Sequence, residues 1–373
     1  MERTGTLYDF VDQEFDSTSA PSFKKYISHL KQEREEPVRA LTVISERHPI
    51  DVFRDFPVED FSVEIETGGT ISGGILARKR ESSSYENDVK VWKGQFLVIS
   101  HSDSVYTVFT VSDKDFFDKG LSRYIQQLPS EIASTYLSSD ELRRLIQSLD
   151  QRINGNLDVK KAVLKTTRKD TEIDHHQNEK EYFQVFNEAA ANDKYVDKLL
   201  LNLQNADRPF EFFISRGCAT RFIRGDPELY FEILLPSLAN HISDKEDVFE
   251  NRGREYGSRD TSPIEIQYEE GAIQGMDENK RLVRALQGLK RSAVTVFHDN
   301  PYVHASVLDF DDGTNVEVYM TSDHSISLIP GFHASRKSIS RICDQINKGF
   351  LEGEVVTEED EEPRDFEDYI SPA

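Results

Sequence analysis

Three stretches of this chain repeat one pattern: an apolar run, a polar turn, a second apolar run, a short break and an amphipathic helix. They are Phe96–Leu128, Glu211–Ile242 and Val316–Phe350. In each, a Ser or Thr closes the first run: Ser100, Ser215 and Thr321. A hairpin followed by one helix cannot bury its own apolar face, so such units must pack together or onto intervening segments. The pattern therefore predicts an α+β fold of antiparallel hairpins backed by amphipathic helices, with the three stretches as candidate related β-β-α units.

A chain of 373 residues is long enough for two domains. The sequence divides as a polar N-terminal arm (1–39), a larger α+β domain (40–243), a linker (244–261), a smaller α+β domain (262–350) and an acidic tail (351–373) expected to be disordered. The linker is charged, contains Gly and is nearly free of aliphatic residues. The smaller domain reads as strand, helix, four strands and helix. In the larger one, Ser138-Ser-Asp-Glu141 fits a capping box, and Leu142, Leu145, Ile146 and Leu149 follow with helical spacing. Gly225-Asp-Pro-Glu228 is a second helix start, with Asp226 at the N-cap and Pro227 at N1.

The net charge of −23 opposes binding to nucleic acid or an anionic membrane, because both are polyanions. Part of it sits in residues 352–368, which hold ten carboxylates and one Arg; the rest is spread through the body. That distribution fits a salt-adapted prokaryote. The two cysteines, Cys218 and Cys343, are too far apart for a disulfide framework or a Cys-rich zinc site. The first ten residues contain no apolar core of a signal peptide, and no run reaches the length of a membrane span. The expected setting is cytoplasmic.

Phosphate-loop, nucleophile-elbow and H-E-x-x-H signatures are absent. No nucleophile, base and orienting group can be read from spacing, and no cofactor motif occurs. The expectation is a non-catalytic interaction or regulatory protein of a prokaryotic, salt-rich cytoplasm, with a protein partner, no cofactor and no membrane. Its candidate site is Arg216, Arg221 and Arg224, three arginines in nine residues beside a helix start, where a phosphate or partner carboxylate could be held.

Two other readings stand beside it. His298 and His304 flank the turn Asp299-Asn-Pro-Tyr, with Asp309 and Asp323 further along, and two such imidazoles could hold the metal of a hydrolase. The order helix, four strands, helix of the last domain resembles, in topology alone, one half of a TATA-binding-protein-like saddle. That resemblance implies nucleic-acid binding, although its predicted strands hold almost no Lys or Arg, so contact is expected only at high salt.

Overall fold

The computed structural model describes residues 37–68, 71–81, 89–153, 156–166, 173–176, 180–203, 209–250, 252–253 and 263–357. The chain divides into two compact units, Met1–Asp244 and Lys245–Ala373. Each contains an antiparallel sheet with helices, so the fold is α+β. Among the described residues no helix is long and apolar enough to cross a membrane.

The first unit is built on one large sheet. Its strands are β1 (Val38–Ser45), β2 (Phe61–Gly68), β3 (Ile71–Glu81), β4 (Val89–Ser100), β5 (Val105–Thr110), β7 (Leu157–Thr166), β8 (Ile173–His176), β10 (Lys194–Leu203), β11 (Phe210–Ser215) and β12 (Ala219–Gly225). They lie in the order β2-β3-β4-β5-β1-β12-β11-β10-β7-β8; short β6 (Ile132–Ser134) pairs with β1, and β9 (Lys180–Glu181) with β7.

The helices cover opposite faces of the two halves. Helix α1 (Pro49–Asp55) and α2 (Ser122–Gln127) pack with Leu76, Phe96, Val98, Tyr106, Val108, Leu41 and Val43 on one face. Helices α3 (Ser139–Ile153), α4 (Tyr182–Ala191) and α5 (Leu235–Phe249) pack with Val38, Ala40, Phe109, Leu164, Leu199, Phe212 and Phe222 on the other. Period-two alternation explains the assignment: Leu41 and Val43 join the first core, while Val38, Ala40 and Ile44 join the second. All eight residues of β1 are buried, because both layers overlap there.

The first two hairpin–helix stretches share a start that the third lacks. A π-helical stretch, Phe116–Leu121, leads into α2, and another, Leu229–Leu234, leads into α5. Each begins three residues after an Asp whose carboxylate accepts a backbone N–H: Phe116 N donates to Asp113 Oδ1 at 2.7 Å, and Glu228 N to Asp226 Oδ1 at 2.8 Å. Asp226 therefore acts as the cap read from the sequence. The capping box at α3 also forms, with Glu141 N donating to Ser138 Oγ at 3.1 Å and Ser138 N to Glu141 Oε2 at 2.5 Å.

The second unit is a six-stranded sheet in the order β14-β15-β16-β17-β13-β18. Its strands are β13 (Ile264–Gln267), β14 (Ser292–His298), β15 (Val303–Asp309), β16 (Asn315–Met320), β17 (Ser325–Pro330) and β18 (Glu354–Thr357). One face buries Val303, Ala305, Val307, Val316, Val318, Ile326 and Leu328, and α6 (Met276–Gln287) and α7 (Arg336–Gly349) add Leu282, Leu286, Ile339, Ile342 and Ile346 to that core.

Two boundaries need correction. The segment expected as a linker from 244 begins inside α5, which runs on to Phe249; of the remainder, only Glu250, Arg252 and Gly253 are described. The tail expected to be disordered from 351 contributes β18, paired antiparallel with β13, because Val355 and Val356 supply an extended pair within the acidic run. The expected N-terminal arm, apart from Pro37 to Arg39, and the tail beyond Thr357 lie outside the described residues.

A buried polar chain crosses the first unit where β4 turns into β5. His101 Nε2 lies 2.9 Å from Thr107 Oγ1, which lies 3.0 Å from Thr42 Oγ1 on β1. Burial pushes the His101 imidazole down from its ordinary 6.5 to about 4. The unfolded chain therefore takes up this proton first as pH falls, so stability is full above about 6.5 and is lost toward about 4. At 1.4 kcal/mol per unit the loss from this group approaches about 3 kcal/mol. Burial also lowers His48 and His241, which add the same sign. Denaturant melts at pH 7 and 4.5 should show the loss, and His101→Asn should remove the largest part of the slope. An unchanged slope would mean that His101 is not held neutral.

Candidate anion-binding face

The three arginines read from the sequence do not meet. Arg216 lies in the β11–β12 turn, 1% exposed, with its guanidinium 5.1 Å from the Tyr136 ring centroid and 5.0 Å from that of Tyr195. Its backbone is also fixed: Arg216 N donates to Asp197 O and Leu137 N donates to Arg216 O. Stacked between two rings and out of solvent, Arg216 is a core cation, with no access to a soluble anion. Arg224 is exposed at the far end of β12, where its Nε donates to Glu211 Oε2 at 2.6 Å. Glu211 also accepts from Lys160 Nζ at 3.1 Å. Burial alone would raise the Glu211 carboxyl, but the hydrogen bonds from Lys160 and Arg224 hold it below its usual range.

Arg221 has different company. The register places it beside Arg39 of β1 on one side and Phe213 of β11 on the other. The same row continues through Leu200 to Lys161, so one line of side chains crosses five strands: Arg39, Arg221, Phe213, Leu200 and Lys161. Among the described residues, this row lies on the face that α1 and α2 cover only on the β2–β1 side, and Arg221 stands where that cover ends. Lys198, exposed on β10, and Lys160 belong to the same half, which no described helix covers on this face.

Two like charges directly opposite on neighbouring strands repel. Arg39 is buried and directed by its Nη1 onto Ser112 O at 3.0 Å and Pro37 O at 3.2 Å. Arg221 is half-buried, its guanidinium 5.4 Å from the Phe213 ring centroid, and its Nε is buried with no hydrogen-bond partner among the described residues. Burial pushes the Arg221 guanidinium below its ordinary value; Arg39 adds to that, and Asp118 and Glu211 oppose it. A planar anion on the half-exposed guanidinium of Arg221 would offset the repulsion from Arg39, which is bidentate chemistry suited to arginine.

More cations lie past the π-helical stretch that carries Asp118. Trp92, the chain's single Trp, has Arg78 at 5.5 Å and Lys119 at 5.8 Å from its ring centroid, and Arg78 also lies 5.2 Å from Phe61. Arg80 and Lys90 form the next cross-strand pair on that side. The sequence reading missed both groups. Arg39 and Arg221 are neighbours only through the β1–β12 pairing, and Trp92 meets Lys119 only through the packing of the Phe116–Leu121 stretch on the sheet.

The histidine pair sits in the second unit. The register sets His298 opposite His304, with ring centroids 6.4 Å apart. His304 stacks on Tyr319 at 4.4 Å, and its Nε2 lies 2.9 Å from Glu317 Oε2. The two aspartates expected nearby are engaged elsewhere: Asp309 with Arg341, and Asp323 with His324. Among the described residues there is no group of three or more His, Cys, Asp or Glu placed to hold a metal ion.

No family model matches the chain, and no curated protein matches it.

Proposed function

We propose that this chain is a non-catalytic interaction protein whose first unit holds an anionic segment of a protein partner on the half of its sheet face that no described helix covers. The Arg39–Arg221 pair is the observation that carries the reading. Two guanidiniums are kept side by side at the margin of a helix-covered face, one with a buried donor unmet, in a chain whose net charge is −23. Phe213 and Leu200 continue the row as an apolar floor, and Lys161 and Lys198 add charge beyond it. A carboxylate-bearing segment would find bidentate donors beside an apolar strip. The setting proposed with it, a salt-rich prokaryotic cytoplasm, rests on composition.

The test uses the full chain and Arg221→Gln. Titration with polyglutamate in about 0.05 M salt should give saturable binding that weakens as salt rises. The glutamine variant should bind at least about tenfold more weakly, the loss of one charge-assisted bidentate contact, with little change in melting temperature. Equal binding by both proteins would sink the reading. Arg216 cannot serve in this test, because its substitution removes a buried side chain and would report on folding.

The second unit gives the nucleic-acid alternative little electrostatic support. Strands β14, β15, β16 and β17 contain no Lys or Arg, so a phosphate backbone laid on them would find no counter-charge.

A further inference from the structure

The second unit ends its sheet on a strand of unusual composition for an edge. Strand β14 is outermost among the described strands, and its sequence, Ser-Ala-Val-Thr-Val-Phe-His, holds no Lys, Arg, Asp, Glu or Pro. Exposed edges are templates for pairing, and chains normally blunt them with charge, proline, bulges or shortness. The opposite edge follows that practice: β18 has four residues and opens on Glu354. On β14 the one such device is a register shift between Val296 and His298, at the strand's end.

The surface beside this edge is apolar. Phe297, Leu308 and Phe310 are 53%, 40% and 56% exposed, and Tyr302 is exposed with them. Ala293 pairs with Leu308 at the end where β14 begins, and Phe297 and Tyr302 lie at the other end beside the β14–β15 turn, so exposed apolar groups stand at both ends of this edge. Exposed apolar groups beside an unpaired edge favour an interaction there.

We propose that β14 pairs antiparallel with β14 of a second copy, joining two six-stranded sheets edge to edge across a two-fold axis near Thr295. The placement of charge selects this occupant. Lys290 and Arg291 precede the strand and Asp299 follows it, while the strand itself is neutral. Under two-fold antiparallel pairing, the cationic entrance of each strand lies against the anionic exit of the other, so the contact is self-complementary at both ends. Arg291 already reaches Asp311 Oδ1 at 2.9 Å yet stays 59% exposed, leaving guanidinium surface for a second carboxylate. The central residues meet as Thr295 on Thr295, flanked by Val294 and Val296, which is favourable cross-strand chemistry.

Because each copy carries −23, long-range repulsion opposes association in dilute buffer. Sedimentation of the full chain across a concentration series should show a monomer–dimer equilibrium that shifts toward dimer between about 0.05 M and about 0.5 M salt, where the Debye length becomes shorter than the pairing distance between most charges. Thr295→Lys places two like charges on the axis and should leave monomer alone; Lys is itself a natural edge residue, so the fold should survive. Thr295→Val should keep the dimer. Asp299→Arg, which sets cation against cation at both ends, should weaken association at least tenfold. A chain that stays monomeric at every concentration and salt overturns the proposal. So does a dimer that persists unchanged in both Thr295→Lys and Asp299→Arg.

Discussion

Alanine at position 225 is expected to unfold the first unit or nearly so. Gly225 closes β12 with φ at +105°, a region costly for any residue with a Cβ. Space is a second barrier. A Cβ there would overlap the Pro209 carbonyl and come within 2.8 Å of the Phe210 Cα, both of them backbone that cannot swing aside. The same carbonyl accepts the Asp226 N–H at 2.9 Å, and Asp226 in turn caps the π-helical stretch that inserts Leu229, Tyr230 and Leu234 into the core. Tyr230 stacks on Phe222 at 5.4 Å and its hydroxyl lies 2.7 Å from Thr220 Oγ1, so an altered entry angle would pull apart a packed cluster. The backbone term alone is about 1–3 kcal/mol, and with the clash the loss should reach about 4 kcal/mol or more. Gly217 in the same hairpin supplies the control. A Cβ there meets nothing within 4 Å, and Gly217→Ala should change stability by less than about 0.5 kcal/mol. Parallel urea melts decide it; two variants melting alike would refute the account.

Replacing Arg341 by Met should be nearly as damaging to the second unit. Asp309 ends β15 with its carboxylate 1% exposed, and Arg341 Nη1 reaches both oxygens at 2.9 Å. The same nitrogen lies 2.6 Å from Asp311 Oδ2, and Nη2 donates to Lys290 O at 2.5 Å. Lys337 stands 3.9 Å from Asp311, and burial pushes its ammonium below the usual range. Methionine fills much of the volume but removes the cation paired directly with the buried Asp309 carboxylate, while Asp311 keeps Arg291 at 2.9 Å. Breaking such a pair from one side costs about 3–5 kcal/mol, because an uncompensated charge stays buried. Adding Asp309→Asn to the Met variant should recover part of the loss, and a double-mutant cycle by thermal melts measures how much. If Arg341→Met melts within a degree or two of the parent, the network is a surface ornament.

What could be read from the sequence was local. Each of the three hairpin–helix stretches forms a hairpin followed by a helix, because alternation and turn residues fix strands over a few positions. The Ser138–Glu141 box and the Asp226 cap also formed where side-chain chemistry specified them. Helix α1 escaped notice because its N-cap is His48, whose Nδ1 accepts from Ile50 N at 3.2 Å in place of the usual Ser, Thr or Asp. Long-range pairing was not legible. Nothing near position 216 announces Tyr136 and Tyr195, and nothing near 221 announces Arg39, so one arginine read as a surface ligand is core and another gained a partner no spacing rule could supply.

Strand β1 lies where the covered halves of the first sheet overlap, with its neighbour β5, and the residues of both strands are buried. It also bonds to β5, β12 and β6. A plank roofed on one side along half its length, and on the other side along the rest, has its keystone at the changeover. Any opening of either half must first peel from that line, so the amides of β1 and β5 should be the last in this unit to exchange with solvent. Arg39 belongs to that strand. An anion held on Arg221, paired directly with Arg39, would sit beside that buried line, and its arrival would be felt by both halves at once.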